Sequence, residues 1–463
     1  MRLKTRTALL LGKAIGSTSR ALKLGGGSTL PGRVARRADS GFVPAMVKEL
    51  PLGCLLITGT NGKTTTSTLL ASILDKAGMT PVHNHTGANL MAGIASALIR
   101  ESDLSGQLAA RIGLFEVDEA ALPAAITDTS PRLVLVNNLF RDQLDRYGEL
   151  DTLASKMKKA IAGLDRLAVV ALNADDPLVA SIGTGMKQKF MYYGIDDERY
   201  GTDTMQHAAD SKHCAICGSR LNYEYYLFGH LGRYKCPGCG MTRPATDVAA
   251  TSVEMLGMNG TRCTLRYPGG TTELTIPLPG LYNVYNILAA MTTSLALGVE
   301  PDIVIRAVEE FTAAFGRVER IKVADREVLM ILAKNPAGFN EVIRTLTSGT
   351  DKKSVMLALN DNIADGRDVS WIWDVDFEMF RGRLDNVVCS GIRGWDMAVR
   401  LKYSELMETS LVTQLELDKA LDLGLELIGR GETLYVVPTY TAMLDLRKTM
   451  VERGLVTPFW EEK

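Results

Sequence analysis

The sequence predicts an α/β fold in two successive parallel sheets, the first of them interrupted by a small cysteine-bearing insertion. Three observations predict it. Strand-length apolar runs alternate with helical stretches from Leu52 onward, a second such series begins beyond residue 317, and residues from about 205 to 245 break the alternation with a segment rich in Cys and Tyr.

Residues 1–50 open with a basic amphipathic stretch, MRLKTRTALLLGKAIGSTSRALKL, and pass through the Gly- and Pro-rich LGGGSTLPGR. They are too few to bury a core of their own and read as a lead-in. Two uses fit the helix: packing on the next domain, or peripheral contact with a membrane surface. The first domain spans 51–314. Its strands are CLLITG, IGLFEVDE, LVLVNNL and LAVVALNADD, joined after the insertion by TRCTLRYPGG, TTELTIPLPG and the helix NVYNILAAMTTSLALG. The second domain, 315–463, repeats the pattern in VLMILA, SVMLALN, NVVCSGI and TLYVVPT, which predicts a Rossmann-like α/β unit.

Composition narrows the function classes. The chain carries 52 Lys and Arg against 53 Asp and Glu, so no global basic excess points to nucleic acid, and none is expected as a partner. No apolar run reaches the roughly 18 residues of a membrane span, so a cytoplasmic location is expected, at the inner face of the plasma membrane if the first helix touches lipid. Seven cysteines, four of them in C-x-x-C pairs, fit metal ligation in a reducing compartment.

ITGTNGKTTTSTLL sets a Gly-rich turn after a buried strand and before a helix with Leu69, Leu70, Ile73 and Leu74 at helical spacing. Turn amides at a helix start attract phosphate oxygens, Lys63 adds a point charge, and the Thr64 hydroxyl suits Mg²⁺. The general phosphate-loop pattern wants glycine where Ile57 stands. The nucleotide-binding candidates are therefore the shorter run Gly59, Thr60, Asn61, Gly62, Lys63, Thr64 and Thr65.

That short form resembles the loop of the Mur ligases and folylpolyglutamate synthases, and further segments match in the same order. The resemblance implies a ligase fold and an ATP- and Mg²⁺-dependent activation of a carboxylate as an acyl phosphate, which an amine or ammonia then attacks. It points to Glu116 as a catalytic Mg²⁺ ligand. A strand-end acid beside a phosphate loop makes sense independently, and by strand alternation Asp118 shares its face, so either residue suits the metal. In NNLFRDQLDRYGELD, Gln143 stands where the family has a His metal ligand. Lys156 matches a carbamylated family lysine in position, but with Lys158 and Lys159 it reads as a solvated basic face. GLYNVYNILAA points to Asn286 at adenine, and GRVER to Arg317 near the nucleotide at the domain hinge.

Cys214-x-x-Cys217 and Cys236-x-x-Cys239 stand 18 residues apart, a spacing that suits one closed tetrahedral Zn²⁺ site of structural type. Iron–sulfur ligation and unmetallated knuckles are the alternatives. Tyr223, Tyr225, Tyr226, Arg233 and Tyr234 offer rings and charge that would stack on nucleic acid or pack the ribbon down, and packing is preferred because the ribbon interrupts an ATP-binding unit.

Only about fifty residues precede the phosphate loop, too few for the nucleotide-sugar domain of ordinary Mur ligases. AKNPAGFNE and LNDNIADGRDVSWIWD, with the ribbon, resemble the ligase subunits of lipid II isoglutaminyl synthases, a branch of the same superfamily. The resemblance implies amidation of the D-glutamate α-carboxylate of lipid II by ammonia from a GatD-type glutaminase that forms a heterodimer with the second domain. No glutaminase unit is visible, and Cys54, Cys263 and Cys389 sit in apolar strands that read as core. The resemblance also implies that Asp368 reaches into the partner as the acidic member of its Cys-His pair. By residue type alone, Asp361, Asp365, Asp368 and Asp374 equally suit turns and caps. Two other functions share these motifs: a ligase that adds an amino acid without a partner, and a P-loop ATPase with a nucleic-acid-binding ribbon.

Overall fold

The computed structural model describes residues 1–21, 29–84, 88–141, 150–207, 209–311, 318–406 and 410–457. A nine-stranded sheet runs in the order Gly270–Ile276, Thr261–Tyr267, Val248–Met255, Lys189–Ile195, Val169–Asn173, Leu133–Val136, Cys54–Thr58, Ile112–Glu116 and Pro81–His83. The pairings from Pro81–His83 to Val248–Met255 are all parallel. The two outermost strands, whose direction the sequence leaves open, form an antiparallel meander on Val248–Met255. Their connections are short turns, which only antiparallel neighbours can use.

Strand Cys54–Thr58 is buried along its whole length. Leu55 and Ile57 face a core shared with helices Lys63–Lys76 and Leu281–Ala296, while Cys54 and Leu56 face helices Phe42–Val47 and Met91–Glu101 on the other side. Alternation between two covered faces is why the strand is apolar without interruption. It sits between Leu133–Val136 and Ile112–Glu116, where the order of connection reverses, and this opens a crevice at the carboxyl ends of the strands.

The second sheet has the order Val318–Val323, Arg326–Ile331, Thr433–Pro438, Lys353–Ala358, Leu384–Ser390 and Ser410–Thr413, parallel apart from its first hairpin. It too is covered on both faces. Between strands Lys189–Ile195 and Val248–Met255 the chain makes a separate hairpin, Asn222–Phe228 with Leu231–Lys235. The first helix, Leu3–Ala21, packs on Leu30–Ala38 and Met91–Glu101. No helix of the described residues is long and apolar enough to cross a membrane.

Candidate active site

The phosphate loop leaves strand Cys54–Thr58 at the crevice and is laced to the neighbouring strand end. Thr60 N donates to Asn138 O at 2.9 Å, and the Thr60 hydroxyl donates to Phe140 O and accepts from Phe140 N, both at 3.0 Å. Asn61 N donates to Asn138 Oδ1 at 2.8 Å, and Asn138 Nδ2 donates back to Asn61 O at 3.1 Å. Gly62 closes the loop at φ +85°, and a Cβ there would lie 2.0 Å from Asn286 Oδ1. Only glycine fits both the backbone and that approach.

Lys63 opens the helix Lys63–Lys76 and is almost wholly buried. Its Nζ donates to Gly59 O at 2.5 Å and pairs with Glu119 Oε2 at 3.4 Å. Thr64 Oγ1 donates to Glu116 Oε1 at 3.3 Å, so the hydroxyl and the strand-end acid meet as the sequence suggested. Glu116 is itself fixed by Asn84, whose Oδ1 accepts from Glu116 N at 2.8 Å while Nδ2 donates to Glu116 O at 2.8 Å. The strand ends at Glu116, so alternation does not extend to Asp118, whose Oδ1 accepts from Ala120 N at 3.1 Å. Glu119 takes the inward position instead, and sequence reasoning missed it.

Asn286 lies on helix Leu281–Ala296. Its Nδ2 donates to Asn283 Oδ1 at 3.1 Å, and its Oδ1 accepts from Thr66 Oγ1 at 3.3 Å. The adjacent Tyr285 hydroxyl donates to Asp175 Oδ2 at 2.8 Å, and Arg243, at the exit of the insertion, pairs with the other oxygen of the same carboxylate. Burial pushes the Asp175 carboxyl up, against the pull of Arg243. Arg317 and Gln143 lie outside the described residues. Lys156 is exposed on helix Leu150–Ala162, whose Leu153, Ala154 and Met157 face inward.

The crevice is roofed by the second sheet. Gly62, Thr65, Asn138, Tyr285 and Asn286 line one side, and Val318, Ala333, Lys334, Gly338 and Val342 the other. Asn335 caps helix Pro336–Leu346, its Oδ1 accepting from Gly338 N at 2.8 Å. Lys334, the lysine of AKNPAGFNE, is thereby a cation opposite the phosphate loop, a role its residue type and spacing do not signal. Phe228, from the tip of the hairpin, lines the same cleft and packs against Phe140 with ring centroids 5.1 Å apart and the rings tilted by 39°. No local motif marks it, because its position comes from folding the insertion back onto the loop.

The four predicted ribbon cysteines converge, every pair of sulfurs within 4.8 Å, with Cys214 Sγ 3.6 Å from Cys239 Sγ and Cys217 Sγ 3.4 Å from Cys236 Sγ. A tetrahedron of ~2.3 Å zinc–sulfur bonds has edges of about 3.8 Å, so the donor set fits Zn²⁺. Each C-x-x-C turn closes through the glycine that comes after it, Gly218 and Gly240, both at positive φ. The ribbon tyrosines pack it down: Tyr234 OH donates to Ala174 O at 3.1 Å and Tyr223 OH to His230 O at 2.9 Å.

Three of the four loop aspartates have distinct roles. Asp365 is buried and anchors the loop by accepting from Thr441 N at 2.8 Å and from the Thr441 hydroxyl. Asp361 pairs with Arg393 at 3.4 Å. Asp368 is exposed, and its Oδ1 accepts from Ser370 N at 2.8 Å, which holds its carboxyl below the usual carboxylate range. Beyond it, Trp373 and Tyr403 stand half or more exposed with rings 5.6 Å apart.

Comparison with known proteins extends over the whole chain. Residues 57–236 match the Mur ligase middle domain, and residues 332–443 match the MurT ligase C-terminal family. The chain is 33% identical to the MurT subunit of the glutamine-hydrolyzing lipid II isoglutaminyl synthase of Streptococcus pneumoniae, covering 98% of this chain and 99% of that one. It is 31% identical to the Staphylococcus aureus subunit of the same name, over 95% and 96%. A further relative, the UDP-N-acetylmuramoyl-tripeptide–D-alanyl-D-alanine ligase of Escherichia coli, is 24% identical over 64% of this chain and 54% of its own. In fold the chain is similar to a pseudomurein peptide ligase of Methanothermus fervidus, with a TM-score of 0.66 at 22% identity over 87% and 79% of the two chains. It is also similar to folylpolyglutamate synthase of Mycobacterium tuberculosis, with a TM-score of 0.60 at 14% identity over 88% and 94%.

Proposed function

The chain belongs to the MurT family of Mur ligases, and on that premise we propose that it is the ligase subunit of a lipid II isoglutaminyl synthase. In this reading ATP phosphorylates the α-carboxylate of D-glutamate in the lipid II stem peptide. Ammonia then attacks the acyl phosphate, a C–N bond forms as the C–O bond to phosphate breaks, and D-isoglutamine results. The near-full-length sequence likeness to MurT subunits of that enzyme carries the reading, against a sequence likeness to other Mur ligases that covers about two thirds of the chain.

The loop amides and Lys63 receive the phosphates. For this the Lys63 ammonium leaves Glu119 and Gly59 O, which hold it in place beforehand. Thr64 and Glu116 would hold Mg²⁺, which when bound neutralises charge on the transferred phosphoryl group. Lys334 faces the same charge from the opposite wall, and the roof formed by the second sheet keeps water from the acyl phosphate. Asn286 and Phe228 position the base. The four ribbon cysteines hold a structural zinc.

Ammonia comes from a GatD-type glutaminase docked on the second half of the chain. The exposed, ionised Asp368 supports this, because an acid held ionised by a backbone N–H suits orienting a partner histidine and balancing its charge. The Trp373–Tyr403 pair and the exposed Trp395 and Val399 offer an apolar landing beside it. The complex works in the cytoplasm.

The test is product mass after incubating the chain, with and without its co-expressed glutaminase, with ATP, Mg²⁺, lipid II and either ammonium or glutamine. Amide from ammonium with the chain alone, and from glutamine only with the partner present, is the expected result. No amide from either nitrogen source, with ATP turnover answering to a free amino acid instead, would move the chain to the amino-acid-adding ligases.

A further inference from the structure

The first 38 residues hold nine Lys and Arg and no Asp or Glu, while the remainder holds 43 basic against 53 acidic residues. Such asymmetry in one short segment is the electrostatic footprint of an acidic surface partner. The structure shows which side of the segment is available to it.

Helix Leu3–Ala21 buries Thr5, Ala8, Leu9 and Gly12 against its neighbours. Thr5 Oγ1 donates to Asp39 Oδ2 at 2.7 Å, Lys13 Nζ reaches Ile99 O at 2.8 Å, and Gly12 lies against Ile99. The inward face is therefore fully used. On the outward face Leu3 is 84% exposed, Leu10 43% and Leu11 44%. At 3.6 residues per turn Leu3, Thr7, Leu10 and Ala14 stack in one stripe with Leu11 beside it. The exposed Arg2 and Arg6 run along one flank of that stripe, and the exposed Lys4 lies on the other. Leu104, 66% exposed in the turn whose Gly106 abuts Met1, extends the leucine surface past the start of the helix.

We propose that this face docks on an anionic phospholipid surface. Leucines in the centre and long cations on the flanks match a bilayer interface, where the leucines enter the acyl boundary while guanidinium and ammonium groups meet lipid phosphates. A nucleic acid would use the cations and leave the leucine stripe in water. The docking adds a surface to the proposed reaction on a lipid-linked acceptor and does not depend on that reaction.

Flotation of the full chain with phosphatidylglycerol/phosphatidylcholine vesicles, and with phosphatidylcholine alone, tests it. Binding is expected to the anionic vesicles only, with the bound fraction falling about tenfold in Lys4→Glu/Arg6→Glu and similarly in Leu3→Asn/Leu10→Asn. Both variants should keep the wild-type melting temperature and ATP turnover on a water-soluble acceptor, because none of these residues lines the cleft. Equal binding to neutral and anionic vesicles, variants that float like wild type, or retention by duplex DNA that exceeds vesicle binding and ignores the leucines would each overturn the proposal. Lipid II amidation is scored separately, so failure of the reaction leaves the vesicle result readable.

Discussion

Asn335, on the second sheet's side of the cleft, donates its side-chain amide to Asn61 Oδ1 of the phosphate loop at 2.9 Å, while its own Oδ1 caps helix Pro336–Leu346. One side chain thus ties the roof to the loop and starts the helix that forms the roof. The two jobs separate by substitution. Asn335→Ala should lose about 1 kcal/mol of stability with the cap and lower ammonium-dependent turnover. Asn335→Asp keeps an acceptor for the cap but removes the donor and adds charge near the phosphates, so it should melt like wild type and still turn over slowly. Wild-type turnover in the Asp variant would show that the tie to Asn61 is dispensable.

Lys63→Met should reduce ATP turnover by at least about a hundredfold, since no other donor in the loop carries a full charge. Glu116→Gln should act through the metal. The Mg²⁺ concentration for half-maximal turnover should rise about tenfold at saturating ATP. An unshifted Mg²⁺ titration would remove Glu116 from the metal site and leave it as a partner of Thr64 alone.

Asp368→Asn should leave ammonium-dependent amidation intact and cut glutamine-dependent amidation by up to about 10⁴-fold, the scale seen when a triad acid becomes an amide. The lowered carboxyl sets the sign with pH. The charged form is present at neutral pH and is lost only under acid conditions, so the two nitrogen sources should not diverge between pH 6 and about 8 on account of this residue. Asp365→Asn is the contrast: it loosens the loop from Thr441 and should lower stability.

Burial pushes the Cys54, Cys263 and Cys389 thiols up to about 12. A raised thiol is neutral below that value, and the thiolate is the nucleophile, so these three should resist iodoacetamide at pH 8 until the chain unfolds. Chelation of the folded protein should expose the four ribbon thiols first. Intact mass should then step by four adducts and, in denaturant, by the remaining three of the seven. Labelling of a strand cysteine before the ribbon set would contradict the burial order.

The parts of the site written in contiguous sequence were the legible ones. The run from Gly59 to Thr65 forms a loop because strand, turn and helix come one after another, and the cysteine pairs converge because each knuckle is local. The antiparallel direction of Thr261–Tyr267 and Gly270–Ile276 is not written in their apolar pattern, because a strand's direction depends on its partner. Glu119 was missed because alternation was carried past the end of strand Ile112–Glu116. Lys334 and Phe228 reach the cleft across 272 and 166 residues of chain counted from Gly62, and no local spacing encodes such an approach.

The hairpin of the ribbon touches more than the cleft. Arg344 donates to Leu227 O at 2.6 Å, and its guanidinium lies over the Tyr200 ring, so the second half of the chain rests on the insertion's tip. The four ribbon cysteines converge at the base of that tip, and a metal held there would fix the shape of the seat. On the proposed zinc site, metal capture by the insertion would shape the seat on which the last third of the polypeptide rests. Without that metal the second half of the chain would lose its seat on Leu227 and Tyr200 while keeping its own core.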